Sequence, residues 1–333
     1  MKILVSGGAG FVGSVCCAEL VRQGHSVLVV DDLSSGHAAA IPRGATFHRC
    51  DIGNQEAMAA LLRDNPIDIV FHFAAKALIA ESMSNPGFFF RHNVAAGIIF
   101  LETLRNAGIS KFVFSSSAAV YGAPRETPIH ESHPKQPVNS YGETKLMFER
   151  ILDWYVSAYG WTAVSFRYFN ACGATAEIGE DHRPETHVIP LLLRAASRGG
   201  EFHIHGDNYA TPDGTCMRDY VHVEDIAAAH LLALQVAEGA KAYNIGTGHS
   251  YSVLEVCQAV EEVTGHSIDV RKGPRRPGDP PVLCASPDKL KEELGWNPKH
   301  SDLHSIIRSA WHWKRSHPDG YISENQELVT FAR

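Results

Sequence analysis

A short apolar run, KILVS, is broken at once by the glycines of GGAGFVG, and the following FVGSVCCAELVRQG carries apolar residues at helical spacing up to a closing glycine. Strand, glycine turn and helix in that order leave few folds open. Gly7, Gly10 and Gly13 sit in this turn, and Gly8-x-Gly10-x-x-Gly13 also fits the dinucleotide-binding spacing. Glycines there permit a tight turn and let backbone N–H groups approach a pyrophosphate at the helix N-terminus. GxGxxG alone is a weak signal, but a second strand, HSVLVVDD, ends on Asp31 and Asp32 near the expected distance. A carboxylate at that place accepts hydrogen bonds from adenosine ribose hydroxyls. Two of them repel a 2′-phosphate, so the sequence predicts NAD rather than NADP.

Further runs continue the rhythm: ATFHRCDI, IDIVFHFAA, KFVFSSSA and WTAVSFRYFN read as strands, with helical patterns over 56–63, 88–107 and 141–159 between several of them. Strands alternating with helices predict an α/β chain built on a Rossmann-type doubly wound parallel sheet. After about Asn170 the chain turns polar and rich in Gly, Pro, Asp and His, then offers one more strand, KAYNIGTG, and two helices, SVLEVCQAVEEVTG and DLHSIIRSAWHWKRSH. We expect residues 1–170 to form the cofactor domain, with 220–247 returning to it. Residues 171–219 and 248–333 should form a smaller mixed α/β C-terminal substrate domain.

Composition narrows the partners. The net charge of −7 gives nucleic acid no footprint. No run is long enough to span a bilayer, and the glycine-broken N-terminus makes a poor signal peptide. Seven cysteines, odd in number and without C-x-x-C spacing, suit reduced thiols and a cytoplasmic setting. Nineteen histidines invite a metal, but His203 and His205 lack a third ligand at recognisable spacing, so no metal is expected.

The stretch SYGETK places Tyr141 four residues before Lys145, downstream of the serine run 115–117. On a helix both side chains share a face. An ammonium beside a phenol favours phenolate and lowers its pKa from about 10. An ordinary amphipathic helix carries the same spacing, so the pair is informative only in context. The context is a dinucleotide fold in which Ser117 ends a strand, where a nicotinamide ring lies. A phenolate, a lysine and a serine there can take a hydroxyl proton while hydride leaves carbon.

Taken together, LVSGGAGFVGS, CDI, HFAA, HNV, SSSAAVYG, SYGETK, RYFNACGA, DGTCMRDYVHVED, YNIGTG, GPRRPGD and WHWKRSHPDGY cover nearly the whole chain. The sequence resembles the extended short-chain dehydrogenase/reductase family, and within it most closely the bacterial UDP-glucose 4-epimerases. The resemblance implies tightly bound NAD, regenerated in each cycle, and a transient 4-keto sugar. It gives Tyr141 the proton of the sugar 4-hydroxyl, Ser117 a hydrogen bond to the same oxygen, and Lys145 the nicotinamide ribose and the task of keeping Tyr141 acidic. It puts Asp51 and Ile52 near adenine. Phe11, Val12, Phe73, Ala74, Ala75, Lys76, Asn93, Ser115 and Tyr168 fall along the cofactor path. Asn170, Arg218, Arg276 and Asp279 match UDP-binding positions, and His187 falls on the uracil or sugar side. Arginine suits a diphosphate because its fork donates two parallel hydrogen bonds, although a solvated basic loop also explains RKGPRR.

Three positions separate this chain from neighbours. Dehydratases of this scaffold carry an acid and a base after the serine or threonine; here Ala118 and Ala119 follow Ser117, and methyl groups transfer no protons. Lys76 precedes Ala77, where many relatives hold their lysine two residues further on, which puts one pyrophosphate contact in question. The tyrosine that narrows the sugar pocket of strict glucose/galactose enzymes falls on Leu283, which leaves room for an N-acetyl group. The reading is a UDP-hexose 4-epimerase interconverting UDP-glucose and UDP-galactose, with N-acetyl hexosamines as further substrates. The alternatives are an epimerase or dehydrogenase on a UDP-pentose or UDP-uronate, and a silent nucleotide-sugar sensor. The helices 88–107 and 141–159 would pair across the two-fold axis of a homodimer, although core packing alone also explains their apolar faces.

Overall fold

The computed structural model describes residues 1–276 and 278–321. Strands β1 (Lys2–Ser6), β2 (Ser26–Asp31), β3 (Thr46–Arg49), β4 (Ile69–His72), β5 (Lys111–Ser117) and β6 (Thr162–Tyr168) are followed by β7 (Asn170–Cys172), β8 (Glu201–His205), β9 (Met217–Arg218), β10 (Tyr220–His222), β11 (Gly239–Ile245), β12 (Tyr251–Ser252), β13 (Asp269–Gly273) and β14 (Val282–Leu283). Seven of them form one sheet in the order β11-β6-β5-β4-β1-β2-β3, parallel throughout. The order reverses between β1 and β4, so the crevice of the switch point opens beyond the carboxyl ends of these two strands.

Buried strands of a parallel sheet are apolar on both faces. On one face Ile3, Val5, Val29, Phe71, Val113 and Phe166 pack together; on the other, Leu4, Leu28, Val70, Phe112, Phe114 and Ala163 do so. Among the described residues the α-helices are α1 (Phe11–Arg22), α2 (Gln55–Asp64), α3 (Ile79–Ser84), α4 (Pro86–Phe89), α5 (Ala96–Asn106), α6 (Ser140–Tyr159), α7 (Val188–Arg198), α8 (Val223–Leu232), α9 (Val253–Thr264), α10 (Asp288–Leu294) and α11 (Leu303–Ser316). A separate core joins α7, α9 and α11 through Leu192, Val256, Val260, Ile306 and Ile307.

Two elements differ from the sequence expectation. The helix expected over 88–107 is interrupted by a π-helical turn, Phe90–Ala95, between α4 and α5. That turn buries Asn93, whose side chain accepts from the Lys76 N–H at 2.8 Å and donates to the Lys76 carbonyl at 2.9 Å. π-Turns of this kind concentrate at functional sites. The polar stretch around VHVED, which reads as loop, instead forms β10 and the start of α8. His222 caps that helix, and the carboxylate of Asp225 is consumed by the backbone N–H groups of Lys299 and His300 and by the Ser301 hydroxyl.

Burial holds three histidines neutral. Desolvation lowers the pKa of His72 to about 3 and those of His222 and His230 to about 4. His230 lies among the rings of Phe71, Phe73 and Phe166 and meets the Tyr168 hydroxyl at 2.6 Å. An unfolded chain binds these protons near pH 6.5, so between that value and the folded pKa the unfolded state holds more protons than the folded one. Stability is therefore full above about pH 6.5 and falls as pH drops, by up to about 1.4 kcal/mol per pH unit for each group. Thermal melts between pH 7 and 4 should show a His230→Gln variant less acid-sensitive than the parent; equal slopes would remove His230 from the account.

Candidate active site

The glycine turn is built so that only backbone fits. Gly7 has φ +75°, and a Cβ there would overlap the Ala74 backbone nitrogen; one at Gly13 would overlap the Gly7 carbonyl oxygen. Gly10 is the N-cap of α1 and offers no side chain to its first turn, which also lacks an acidic residue. The N–H groups of Phe11, Val12 and Gly13 thus enter the helix without a side-chain acceptor, as an anion site at a helix N-terminus requires. Asp31 closes the other side. Its carboxylate accepts from the Ala9 N–H at 3.0 Å and from the Leu33 N–H at 2.8 Å, one bond to each oxygen, which leaves lone pairs for ribose hydroxyls. Burial pushes its pKa up, against the pull of those two donors. This donor and acceptor set fits NAD.

Lys76 reaches across to the same corner. Its ammonium donates to Ser34 Oγ at 2.6 Å; against the upward push of burial, the Ser34 hydroxyl and N–H donating to the Asp32 carboxylate lower its pKa, and Lys76 adds to that. It therefore stands beside the two acids. Phe73 and Ala74 leave β4 with both N–H groups on the Ser6 carbonyl, and Ala75 precedes Lys76 in the same turn. Asp51 and Ile52 lie just past β3, where the Asp51 side chain accepts from the Gly53 N–H at 2.8 Å.

The candidate catalytic groups come from β5 and α6. Ser117 is the last residue of β5 and caps the short 3-10 helix Ala118–Tyr121. Helix α6 starts at Ser140, capped by Asn139, whose side chain accepts from the Gly142 N–H at 2.7 Å. The Tyr141 N–H is tied to Ser82 Oγ at 3.2 Å. Ser117, Tyr141 and Lys145 come together: the Ser117 side chain lies close enough to the phenol to lower its pKa, and the Lys145 ammonium lies 5.7 Å from the Tyr141 ring centre. Lys145 donates to the Ser115 carbonyl at 2.6 Å, and Tyr168 adjoins Ser115 and Tyr141.

The resemblance gives Lys145 the task of keeping Tyr141 acidic, and burial works against that task. Burial raises the phenol above its ordinary pKa, and only the Ser117 hydrogen bond opposes this. Burial also lowers Lys145 to about 7, with Glu149 pulling the other way. The spacing put the two groups on one face, and burial is the largest influence on each.

Glu149 belongs to a buried network that the sequence reading missed. It accepts from Arg167 at 3.0 and 2.7 Å and from Ser116 Oγ at 2.5 Å, while Arg167 also donates to the Tyr121 hydroxyl at 2.8 Å. A signal was present: Glu149 lies four residues after Lys145, and Arg167 interrupts an apolar strand.

The expected substrate residues lie past the sheet. Arg218 and Asp279 pair at 3.1 Å, with the Arg218 guanidinium also donating to the Pro280 carbonyl at 2.9 Å. Arg276 is exposed, and its carbonyl accepts the Asp279 N–H at 3.3 Å. Asn170 donates its side-chain amide to the Asp219 carbonyl at 2.9 Å. His187 caps α7 and meets Glu180 at 2.7 Å and Glu185 at 2.9 Å, which hold its pKa well above the ordinary histidine value.

A family model described as the NAD dependent epimerase/dehydratase family matches residues 3–246. A UDP-glucose 4-epimerase of Lactobacillus helveticus is 46% identical over 327 residues, 96% of this chain and 99% of that protein. A solved structure of a UDP-glucose 4-epimerase superposes with a TM-score of 0.94 at 44% identity, covering 97% of this chain and 100% of that one. The UDP-glucose 4-epimerase of Bifidobacterium longum, solved in complex with NAD+ and UDP, superposes with a TM-score of 0.92 at 35% identity, over 96% and 100% of the two chains.

Proposed function

The chain belongs to the NAD-dependent epimerase/dehydratase family, and from that premise we propose that it interconverts UDP-glucose and UDP-galactose by inverting C4. The observation that carries this is the convergence of Ser117, Tyr141 and Lys145 in a fold whose first strand–helix turn fits NAD. NAD, held by the glycine turn and Asp31, would supply the hydride acceptor and donor for C4. Tyr141 takes the proton of the 4-hydroxyl and gives it back, and Ser117 hydrogen-bonds the same oxygen. Lys145, fixed on the Ser115 carbonyl, orients Tyr141 and holds the cofactor ribose. Ala118 and Ala119 supply no acid or base for elimination, which favours epimerisation over dehydration. Asn170, Arg218, Arg276 and Asp279 hold the UDP, with His187 on the uracil or sugar side. This leaves the 4-keto sugar tethered while it turns its other face.

In this reading, residues 1–170 with 220–247 serve the cofactor and 171–219 with 248–333 the nucleotide sugar; 322–333 lie outside the described residues. The purified holoenzyme should convert UDP-galactose without added NAD. Exclusive turnover of a UDP-pentose or UDP-uronate, or none of any nucleotide sugar, would refute the assignment.

Leu283 packs against the cluster of Ala118, Tyr121, Ile129 and Ala285, in which Ala118 directly follows Ser117 in the chain. A leucine leaves volume there that a tyrosine fills, so UDP-N-acetylglucosamine should also react. Leu283→Tyr should remove at least about tenfold of kcat/KM for the N-acetyl sugar, a methyl- to acetyl-sized steric penalty, and spare UDP-glucose. Failure of the parent enzyme to turn over the N-acetyl sugar refutes the gate.

The same reading makes the enzyme a homodimer of the cytoplasm. Ile98 and Ile99 on α5, and Trp154 (73% exposed) and Tyr159 on α6, present large apolar side chains to solvent, as a two-fold helix interface does. Sedimentation as a monomer at micromolar concentration would reject the dimer. All seven cysteines are free thiols, in keeping with a reducing compartment. No helix among the described residues is long and apolar enough to cross a membrane.

A further inference from the structure

The segment EDHRPETH, leading into α7, folds four side chains onto one point. Glu180 Oε1 lies 3.0 Å from His182 Nδ1 and 2.7 Å from His187 Nδ1. Glu185 completes the group, with Oε1 2.9 Å from His187 Nδ1 and Oε2 4.0 Å from His182 Nδ1. One ligand atom from each of the four lies within 4.8 Å of all the others. We propose that this cluster is a binding site for one divalent transition-metal ion of the zinc type, held by Glu180, His182, Glu185 and His187.

The distances suit that ion. Zinc takes imidazole nitrogen and carboxylate oxygen at about 2.0–2.2 Å in a tetrahedron, which sets its ligands about 3.3–3.6 Å from one another. The histidine–glutamate separations, 2.7 to 4.0 Å, straddle that edge, and all four ligand atoms lie within 4.8 Å of one another, so side-chain rotations can close the shell. The charges balance as well: two neutral imidazoles and two carboxylates carry −2, and ligands bind metal in those forms. Two nitrogen and two oxygen donors favour zinc, cobalt or nickel over magnesium or calcium, which prefer all-oxygen shells.

The surroundings favour an ion over a loose ion-pair cluster. Glu180 is only 6% exposed, yet two imidazoles converge on one of its oxygens. Arg183, which could have neutralised the carboxylates, turns away to Asp181 at 2.9 Å and to the carbonyls of Asp319 and Tyr321. Glu185 is fixed by the N–H groups of Thr186 and His187 on Oε1, at 2.7 and 2.8 Å, so Oε2 remains for a ligand bond. A cavity of about 360 Å³ lined by Glu180, His182 and Glu185 gives the ion a way in.

Four protein ligands make a closed, structural site rather than one with an open catalytic position. Its effect is mechanical. Gly179, Asp181 and His182 line a crevice with Ala9, Gly10 and Phe11 of the glycine turn, while His187 caps α7. An ion joining residues 180 to 187 therefore fixes the strap that runs from the cofactor turn to the C-terminal part. The sequence expectation of no metal looked to His203 and His205; His203 instead pairs with Glu201 at 3.3 Å in the open.

The test is a titration of chelator-stripped, untagged holoenzyme with Co²⁺, followed by visible d–d absorption and by metal analysis after gel filtration. Its readout is independent of turnover, so its failure leaves the epimerase reading untouched. The expected result is one Co²⁺ per chain with the intense absorption of a tetrahedral site, displaced by Zn²⁺. His182→Ala and Glu185→Gln should each weaken binding at least about tenfold, and His203→Ala should not. Retained NAD in every variant verifies folding. The proposal is overturned if the parent takes up no Co²⁺, or if both ligand variants bind it as tightly as the parent.

Discussion

Tyr141→Phe should abolish epimerase turnover while the protein retains its NAD. The substitution removes one oxygen and leaves the ring. The ring's placement is set by the backbone, because Asn139 caps the first turn of α6 and Ser82 Oγ accepts the Tyr141 N–H. Lys145 stays on the Ser115 carbonyl, and the glycine turn is untouched. What disappears is the group to which the proposed mechanism gives the sugar proton. Positioned bases contribute about 10²–10⁴-fold, and here the buried phenol is matched to no solvent substitute, so the loss should reach the upper end. The measurement is kcat for UDP-galactose at saturating substrate, with the cofactor extracted and quantified from the same preparation. Normal turnover by the variant would falsify the assignment of the base; loss of activity together with loss of NAD would move Tyr141 from chemistry to cofactor retention.

Parallel strands were legible because burial on both faces makes them continuous apolar runs: KILVS, SVLVV, IVFH and KFVF are read directly as β1, β2, β4 and β5. Hydrophobic periodicity says nothing about a π-turn, which changes the hydrogen-bond partner and not the residue type, so the bend that buries Asn93 was invisible. VHVED read as loop because its buried acid, Asp225, is satisfied by backbone groups more than seventy residues away. The pairing of Tyr141 with Lys145 was legible from a spacing of four. The direction of their pKa values was not, because it depends on how much water reaches them. Likewise, EDHRPETH shows its histidines in the sequence, but only a folded-back loop shows that four side chains share a centre.

The largest effect on stability belongs to Arg167. It is 4% exposed, and its partner Glu149 is 8% exposed. Together they join β6 to α6, while Ser116 Oγ ties β5 to the same carboxylate and the Tyr121 hydroxyl links Arg167 onward to Asn244 of β11. Four elements around the catalytic groups thus share one ion pair. Arg167→Met keeps most of the apolar stem and strands the carboxylate without its counter-charge, one helical turn from Lys145. Breaking a buried pair from one side costs about 3–5 kcal/mol, whereas replacing both partners with apolar groups is often near neutral. Urea denaturation of the NAD-loaded enzyme should therefore show Arg167→Met destabilised by about that amount, and the Arg167→Met/Glu149→Leu double variant recovering a large part of it. The double variant should still lose activity, since Glu149 is the charge that works against desolvation at Lys145. A single-variant loss under about 1 kcal/mol, the range of an exposed pair, would mean that water reaches Glu149 and that the network does not clamp the site.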